Sequence, residues 1–267
     1  MNHKLNPSIM QAARLAESSA ILSLWQELLH RERRLALFGA LLLALILPMA
    51  IAWGLDDRML CGANIWIKPI KFALSIALLA FTTAWFVGHL PAARRQGLAV
   101  RRIVWLLIAS GCFEFVYITL QAALGQASHY NVGDLWHGVM YTLMGLGALL
   151  LTATQPMLAW QLWRHPDPQQ APVHRLAMLL GLLLTFVFGA GVGILLGNQQ
   201  PPSGGASLPL LGWALGGGDL RPAHFLGIHA EQLLPLAALA LPRRGWLIGF
   251  TAIYSLAFLA LLIRGLA

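Results

Sequence analysis

Residues 35–54 read LALFGALLLALILPMAIAWG, a run without one charged side chain. A helix needs about 20 mostly apolar residues to cross the hydrocarbon core of a bilayer. The run follows a polar stretch, residues 1–34, and is long enough to span, which is unlike a cleavable signal peptide. The sequence therefore predicts a transmembrane helix here.

The composition of the whole chain agrees with a membrane location. Of the 267 residues, 58% are hydrophobic and 10% are charged, whereas soluble domains carry about 25% charged residues. The net charge of +8 does not indicate a nucleic-acid partner, because the basic residues form short runs between apolar stretches. Such runs are typical of cytoplasmic loops. We therefore expect the protein to interact with a lipid bilayer and not with nucleic acid.

Apolar stretches of spanning length recur along the chain and predict an all-α, polytopic integral membrane protein. We predict seven transmembrane helices, at 35–54, 69–90, 101–123, 134–163, 174–197, 223–241 and 245–264.

The segment before the first span has a different pattern. Ile21, Leu24, Trp25 and Leu28 recur at helical spacing, and the segment ends in arginines. This predicts an amphipathic helix over 7–34, either lying on the cytoplasmic membrane surface or packed on the protein. The domain organisation that follows is a cytoplasmic N-terminal segment, residues 1–34, and a seven-helix transmembrane domain, residues 35–267.

Two signals agree on the orientation of the helices. With a cytoplasmic N-terminus, 13 of the 18 Lys and Arg residues fall in cytoplasmic segments, as the positive-inside rule requires. In the same topology every tryptophan falls near a membrane interface. We therefore predict an N-in, C-out protein of the cell inner (plasma) membrane.

Ionisable side chains are expensive inside a bilayer, so each one in a span needs a reason. Nearly all of them fall in the predicted outer halves of the helices or in the outer loops, and the inner halves look apolar. Lys68 and Lys71 either extend to the outer headgroups or begin an inward polar seam that continues through Ser75 and Thr82. Glu114 needs a hydrogen bond or a cation at its depth, and Lys71 is the predicted partner.

The polar residues divide into three predicted roles. Histidines and nearby carboxylates are common metal ligands, and the helix N-termini at the outer face favour an anionic group. The predicted metal ligands are His129, Asp134, His137, His224 and His229, and Asp134 is also a candidate N-cap for the fourth span. The predicted acid–base residues are Glu114 and Glu231. The predicted ligand-binding residues are Lys68, Lys71, Gln121, Arg221 and Gln232.

Three functions are compatible with this pattern. The first is a membrane enzyme or redox protein that binds a transition metal or haem b, with haem held between His137 and either His224 or His229. The second is a proton-coupled transporter of a small anionic solute, although the polar groups crowd one side and no inverted repeat is evident. The third is a non-catalytic membrane subunit that binds an anionic lipid headgroup or a partner protein.

Overall fold

The computed structural model describes residues 7–60, 62–202, 205–208 and 211–267, with side chains from residue 21 onward. The first six residues of the predicted N-terminal segment lie outside this range. The helices are α1 (Pro7–Leu55), α2 (Ile67–Val87), α3 (Ala92–Arg95), α4 (Leu98–Ala123), α5 (Leu135–Arg164), α6 (Pro172–Leu184), α7 (Gly191–Leu196), α8 (Arg221–Ile228), α9 (Ala230–Ala240) and α10 (Arg244–Leu266). A π-helical stretch, the π segment (Thr185–Ala190), joins α6 to α7, and a small hairpin pairs β1 (Met59–Leu60) with β2 (Ala63–Asn64).

The prediction of an all-α membrane protein is confirmed at the level of architecture. Within the described chain, six helices are long and apolar enough to cross a membrane: Ile21–Leu55, Ile67–Val87, Leu98–Ala123, Leu135–Arg164, Pro172–Leu196 and Arg244–Leu266. The sixth predicted span, 223–241, is not one helix. It is broken at His229 into α8 and α9, and neither part reaches spanning length alone.

The N-terminal segment and the first span form one helix with a kink. Glu32 has non-helical backbone angles (φ −153°, ψ 91°), and its carboxylate accepts the backbone N–H of Arg34 at 3.1 Å. A side chain that accepts an N–H two residues ahead acts as an N-cap for the helix that follows. The kink at Glu32 therefore divides α1 into two helical parts.

The helices pack in two groups. The larger core is formed mainly by α1, α2 and α4, with Leu35, Ala77 and Leu107 fully buried. The smaller core is formed by α6, α9 and α10, and α10 is tied to α8 where the Tyr254 hydroxyl donates to Leu226 O. Many large apolar side chains on the outer surfaces are exposed, which is favourable only where the surrounding solvent is lipid.

Glycines allow close approach between α6, the π segment and the broken helix. A Cβ at Gly181 would lie 2.8 Å from the Cα of Glu231, and one at Gly227 would lie 2.9 Å from the backbone of Phe188. Small residues at such contacts let helix backbones touch inside membranes. The positions of these glycines therefore determine which faces of α6, of the π segment and of the broken helix are in contact.

We expect Gly181→Val to destabilise the protein by about 1–3 kcal/mol, since the added methyl groups collide with backbone rather than with a movable side chain. Gly145→Val is the matched control, because a Cβ at Gly145 meets nothing within 4 Å. Thermal unfolding in detergent, followed by intrinsic fluorescence, measures both. Equal melting temperatures for the two variants would contradict this packing.

Candidate functional site

The candidate site is centred on the break in the segment 221–240. His229, between α8 and α9, has non-helical backbone angles (φ −98°, ψ 6°). Its N–H bonds to Leu226 O, three residues back, at 3.3 Å, where an α-helix would use the carbonyl four residues back. Backbone groups freed by such a break need partners from the protein, because the interior of a bilayer offers no water.

Thr185 supplies partners from the neighbouring helix. Its Oγ1 accepts the N–H of Glu231 at 3.0 Å and donates to Ile228 O at 3.5 Å, so one hydroxyl bridges the break. Thr185 also begins the π segment, in which Gly189 O accepts from His224 Nδ1 at 3.0 Å. Two irregular stretches of helix therefore face each other, and π turns inside α-helices occur frequently at functional sites.

Gln232 links three further side chains at the break. Its Nε2 donates to Thr82 Oγ1 at 3.1 Å and to Glu231 Oε1 at 2.9 Å. Its Oε1 accepts from His229 Nδ1 at 3.1 Å, which leaves the lone pair of a neutral imidazole on Nε2. We call the linked side chains around the break the break network: Thr82, Thr185, His229, Glu231 and Gln232.

Glu231 is the buried acid of the break network. Its side chain is 1% exposed, and its Oε2 has no hydrogen-bond partner. None of the ion pairs in the described part of the chain includes it. An isolated carboxylate is far more costly to bury than a neutral carboxyl group. The carboxyl group of Glu231 is therefore buried with one oxygen that has no partner among the described residues.

The break network lies near the middle of its helical segments. Thr185 is near the middle of 172–196, and Glu231 is near the middle of 221–240. These residues are therefore away from the helix ends, where most of the ionisable side chains of the described chain lie.

A second group of polar residues lies at one end of the helix bundle. This end carries the connections 56–66, 124–134 and 197–220, and we call it the hairpin end. His129 Nδ1 accepts from Lys68 Nζ at 3.1 Å, and Ser128 Oγ lies 3.1 Å from the same atom. Burial, and then the charge of Lys68, lower the pKa of His129 to about 3. His129 is therefore neutral at physiological pH.

The loops at the hairpin end converge, as the sequence analysis required for a single outer site. The Tyr130 hydroxyl donates to Leu196 O, and the Tyr141 hydroxyl donates to Gly197 O at 2.7 Å. Tyr130 lies in the 124–134 connection and Tyr141 in the first turns of α5, so these contacts hold that region against the end of α7 and the start of the 197–220 connection. The polar side chains around them, called the loop cluster below, are Lys68, Lys71, His129, Tyr130, Tyr141, Asp219 and Arg221.

Two cations of the loop cluster contact the 197–220 connection directly. Lys71 Nζ donates to Leu211 O at 3.4 Å. Arg221 forms an ion pair with Asp219 at 2.6 Å and donates to Gly212 O at 2.6 Å. The charge of Arg221 is thus balanced locally, whereas Lys71 forms no ion pair with any residue that the structure describes.

An aromatic stack leads from the hairpin end to the break. Trp213 packs edge-on against Phe225 with ring centroids 5.3 Å apart, and Phe225 packs edge-on against His229 at 4.3 Å. Trp213 belongs to the apolar centre of the 197–220 connection. This part of the connection therefore contacts the break through Phe225.

A polar cavity of about 360 Å³ lies at the opposite end of the bundle, beside α9. It is lined by His89, His174 and Asp167, and the two imidazole rings lie 5.8 Å apart. His89 Nε2 and His174 Nδ1 are buried without hydrogen-bond partners, and burial, followed by the charge of Arg31, lowers the pKa of His89 to about 4. The sequence analysis missed both histidines, since each stands alone beside a loop that was predicted to be cytoplasmic.

Glu114 is the second buried acid, and it is separate from the break network. It is 1% exposed, and its Oε1 has no hydrogen-bond partner. A Cβ at Gly147 would lie 2.8 Å from this oxygen, so the carboxyl group rests against α5. The predicted Lys71–Glu114 ion pair is not formed, because Lys71 is turned toward Leu211.

His137 and Asp134 form another separate pair at the start of α5. Asp134 accepts the backbone N–H of His137 at 3.0 Å, which confirms the predicted N-cap, and its other oxygen lies 2.5 Å from His137 Nδ1. These hydrogen bonds lower the pKa of Asp134. His137 Nε2 lies 3.0 Å from Gln126 Oε1, so both ring nitrogens are engaged.

The structure does not bring the predicted metal ligands together. Among the residues it describes, no group of three or more His, Cys, Asp or Glu side chains is arranged to hold a metal ion. The predicted ligands have separate partners instead: His129 with Lys68, His137 with Asp134, His224 with Gly189 and His229 with Gln232. The described residues therefore give no support to a shared metal site of three or more of these side chains.

The other predicted site residues divide between the two polar groups. Glu231 and Gln232 belong to the break network, and Lys68, Lys71 and Arg221 belong to the loop cluster. Gln121 lies apart and is bonded to the Tyr117 hydroxyl. The sequence analysis missed Thr185, although a lone hydroxyl residue before Gly189 and Gly191 in a long apolar run was a visible signal.

No family model matches the chain, and neither the curated proteins nor the solved structures contain a match.

Proposed function

We propose that the protein is a proton-coupled membrane carrier for a small anionic solute, and that Glu231 is its proton-binding residue. The observation that carries the proposal is the break network, in which a buried acid with one unpartnered oxygen adjoins a broken helix. Ionisable residues at this depth mark ion pathways and proton relays in membrane proteins. Broken helices at the middle of the membrane form the binding sites of many secondary transporters.

The neighbours of Glu231 suit proton exchange. Gln232 holds one carboxyl oxygen, while Thr185 holds the backbone of Glu231, so the acid is positioned without a charged partner. Glu231 therefore becomes negatively charged when it loses its proton. Water or solute in the break must then stabilise that charge. His229, bonded through Nδ1, offers its Nε2 as the adjacent proton acceptor.

The loop cluster supports an anionic solute. Lys68 and Lys71 stand near the N-terminus of α2, where the helix dipole also favours negative charge. The Trp213–Phe225–His229 stack lies between this cluster and the break, so the 197–220 connection is the proposed gate. The His89–His174 cavity beside α9 is the proposed opening at the other end.

The alternative functions have less support from the geometry. A metal enzyme needs several ligands within reach of one ion, and no group of three or more His, Cys, Asp or Glu side chains among the described residues is arranged in that way. A binding subunit needs an exposed polar interface, but Glu231 and Gln232 face inward. Neither alternative accounts for a helix break whose backbone is satisfied by a neighbouring hydroxyl.

The carrier proposal includes seven membrane crossings, with α8 and α9 together forming the sixth. We propose an N-in, C-out orientation in the cell inner (plasma) membrane, with residues 1–34 on the cytoplasmic side. A fluorescent protein fused after residue 96 is then expected to fluoresce, and alkaline phosphatase fused after residue 131 is expected to be active. The reverse result would contradict the orientation.

Proton transport can be measured in proteoliposomes loaded with a pH-sensitive dye. An inward gradient of succinate or inorganic phosphate is expected to drive acidification of the lumen, because proton and anion enter together. Glu231→Gln keeps the shape of the side chain and removes the exchangeable proton. We expect it to slow acidification by about tenfold or more.

Glu27→Gln is the control, since Glu27 is partly exposed and pairs with Arg31 far from the break. It is expected to transport like the unmodified protein. Size-exclusion profiles and melting temperatures check that both variants fold. Unchanged acidification in Glu231→Gln, or acidification that ignores both anions, would refute the proposal.

A further inference from the structure

A cavity between α4 and α5 is built from different helices than the break network. Its volume is about 580 Å³, within the range of about 300–1,000 Å³ for pockets that hold small organic ligands. Its polar groups, Gln121, Gln126 and His137, come from the hairpin end, while Cys112 and Phe113 line it deeper along α4. The cavity is therefore amphipathic along its length.

Gln121 lines this cavity and carries an unused hydrogen-bond acceptor. The residue is 3% exposed, its Nε2 donates to the Tyr117 hydroxyl at 2.8 Å, and its Oε1 has no partner among the described residues. Buried acceptors without a partner are uncommon in native proteins. Because Oε1 is itself almost fully buried, a ligand with an O–H or N–H donor would reach it after a small rotation of the Gln121 amide toward the cavity.

The lining also restricts the charge and shape of the ligand. None of the described residues that line the cavity is Lys, Arg, Asp or Glu, so an ionic headgroup would be buried there without a counter-charge. Phe113, Tyr117 and Trp136 provide aromatic surface suited to a flat ring. These features favour a neutral, ring-bearing molecule over a phospholipid headgroup.

The cavity opens toward lipid. Val116 and Leu120 line it and are 60% and 53% exposed on the outside of α4. In a bilayer this surface faces acyl chains, so a ligand with an apolar tail can enter sideways and leave its tail among them. A water-soluble ligand would have no comparable route.

We propose that this cavity binds a lipid-soluble quinol, which combines a neutral aromatic ring, hydroxyl donors and an apolar tail. One quinol hydroxyl donates to Gln121 Oε1, and the ring packs among Phe113, Tyr117 and Trp136. The tail runs past Val116 toward the bilayer. This site uses no residue of the break network and is independent of the proposed carrier activity.

The test is calorimetric titration of the full chain in phosphatidylcholine nanodiscs with two probes. Decylhydroquinone, kept reduced, carries the hydroxyl donors; its dimethyl ether has the same ring and tail without them. We expect the quinol to bind about tenfold more tightly than the ether, the effect of about one hydrogen bond. Gln121→Leu is expected to remove this preference by weakening quinol binding and leaving ether binding unchanged.

A second pair of variants tests the location. Val116→Trp fills the cavity and is expected to abolish binding of both probes. Val139→Trp is the matched control, because Val139 is also an exposed apolar residue, 46% exposed, but does not line the cavity. Four results would each overturn the proposal. For the probes, it is equal binding of quinol and ether. For the variants, it is full quinol affinity in Gln121→Leu, unaltered binding in Val116→Trp or lost binding in Val139→Trp.

Discussion

A broken helix can lie inside a bilayer only where another part of the protein satisfies its freed backbone groups. Here one hydroxyl, that of Thr185, accepts the N–H of Glu231 and donates to Ile228 O. The π segment that begins at Thr185 faces the break in turn, and Gly181 and Gly227 keep the two backbones in contact. The buried acid, its amide neighbour and the nearby histidine all depend on this contact for their positions.

The same contact connects the two ends of the molecule. At the hairpin end, Trp213 and Phe225 stack onto His229, so the 197–220 connection is mechanically linked to the break. At the other end, α9 borders the cavity of His89 and His174. A structural change at the break would therefore alter the contacts at both proposed openings. A carrier that exposes one site alternately to each side requires such a link.

The sequence predicted much of the fold but little of the site. Long apolar runs determine where helices can span, and capping chemistry correctly identified Asp134 as the start of α5. The break at His229 was not predicted, because 223–241 is apolar enough to be read as one helix. Its cause is tertiary: the hydroxyl that replaces the missing helical bonds comes from Thr185, which is distant in sequence. The predicted metal site has no support for a related reason, since the sequence could not show that the candidate ligands would lie apart in the described structure.

The central claim is that α8 and α9 together cross the membrane and so bring Glu231 to its middle. Single cysteines at Gly216 and Gly245, in a background with Cys61 and Cys112 replaced by serine, flank this segment at positions with open space around them. An impermeant maleimide applied to sealed vesicles of known orientation is expected to label them from opposite sides. Labelling of both from the same side would mean that the segment does not cross, and would contradict the account.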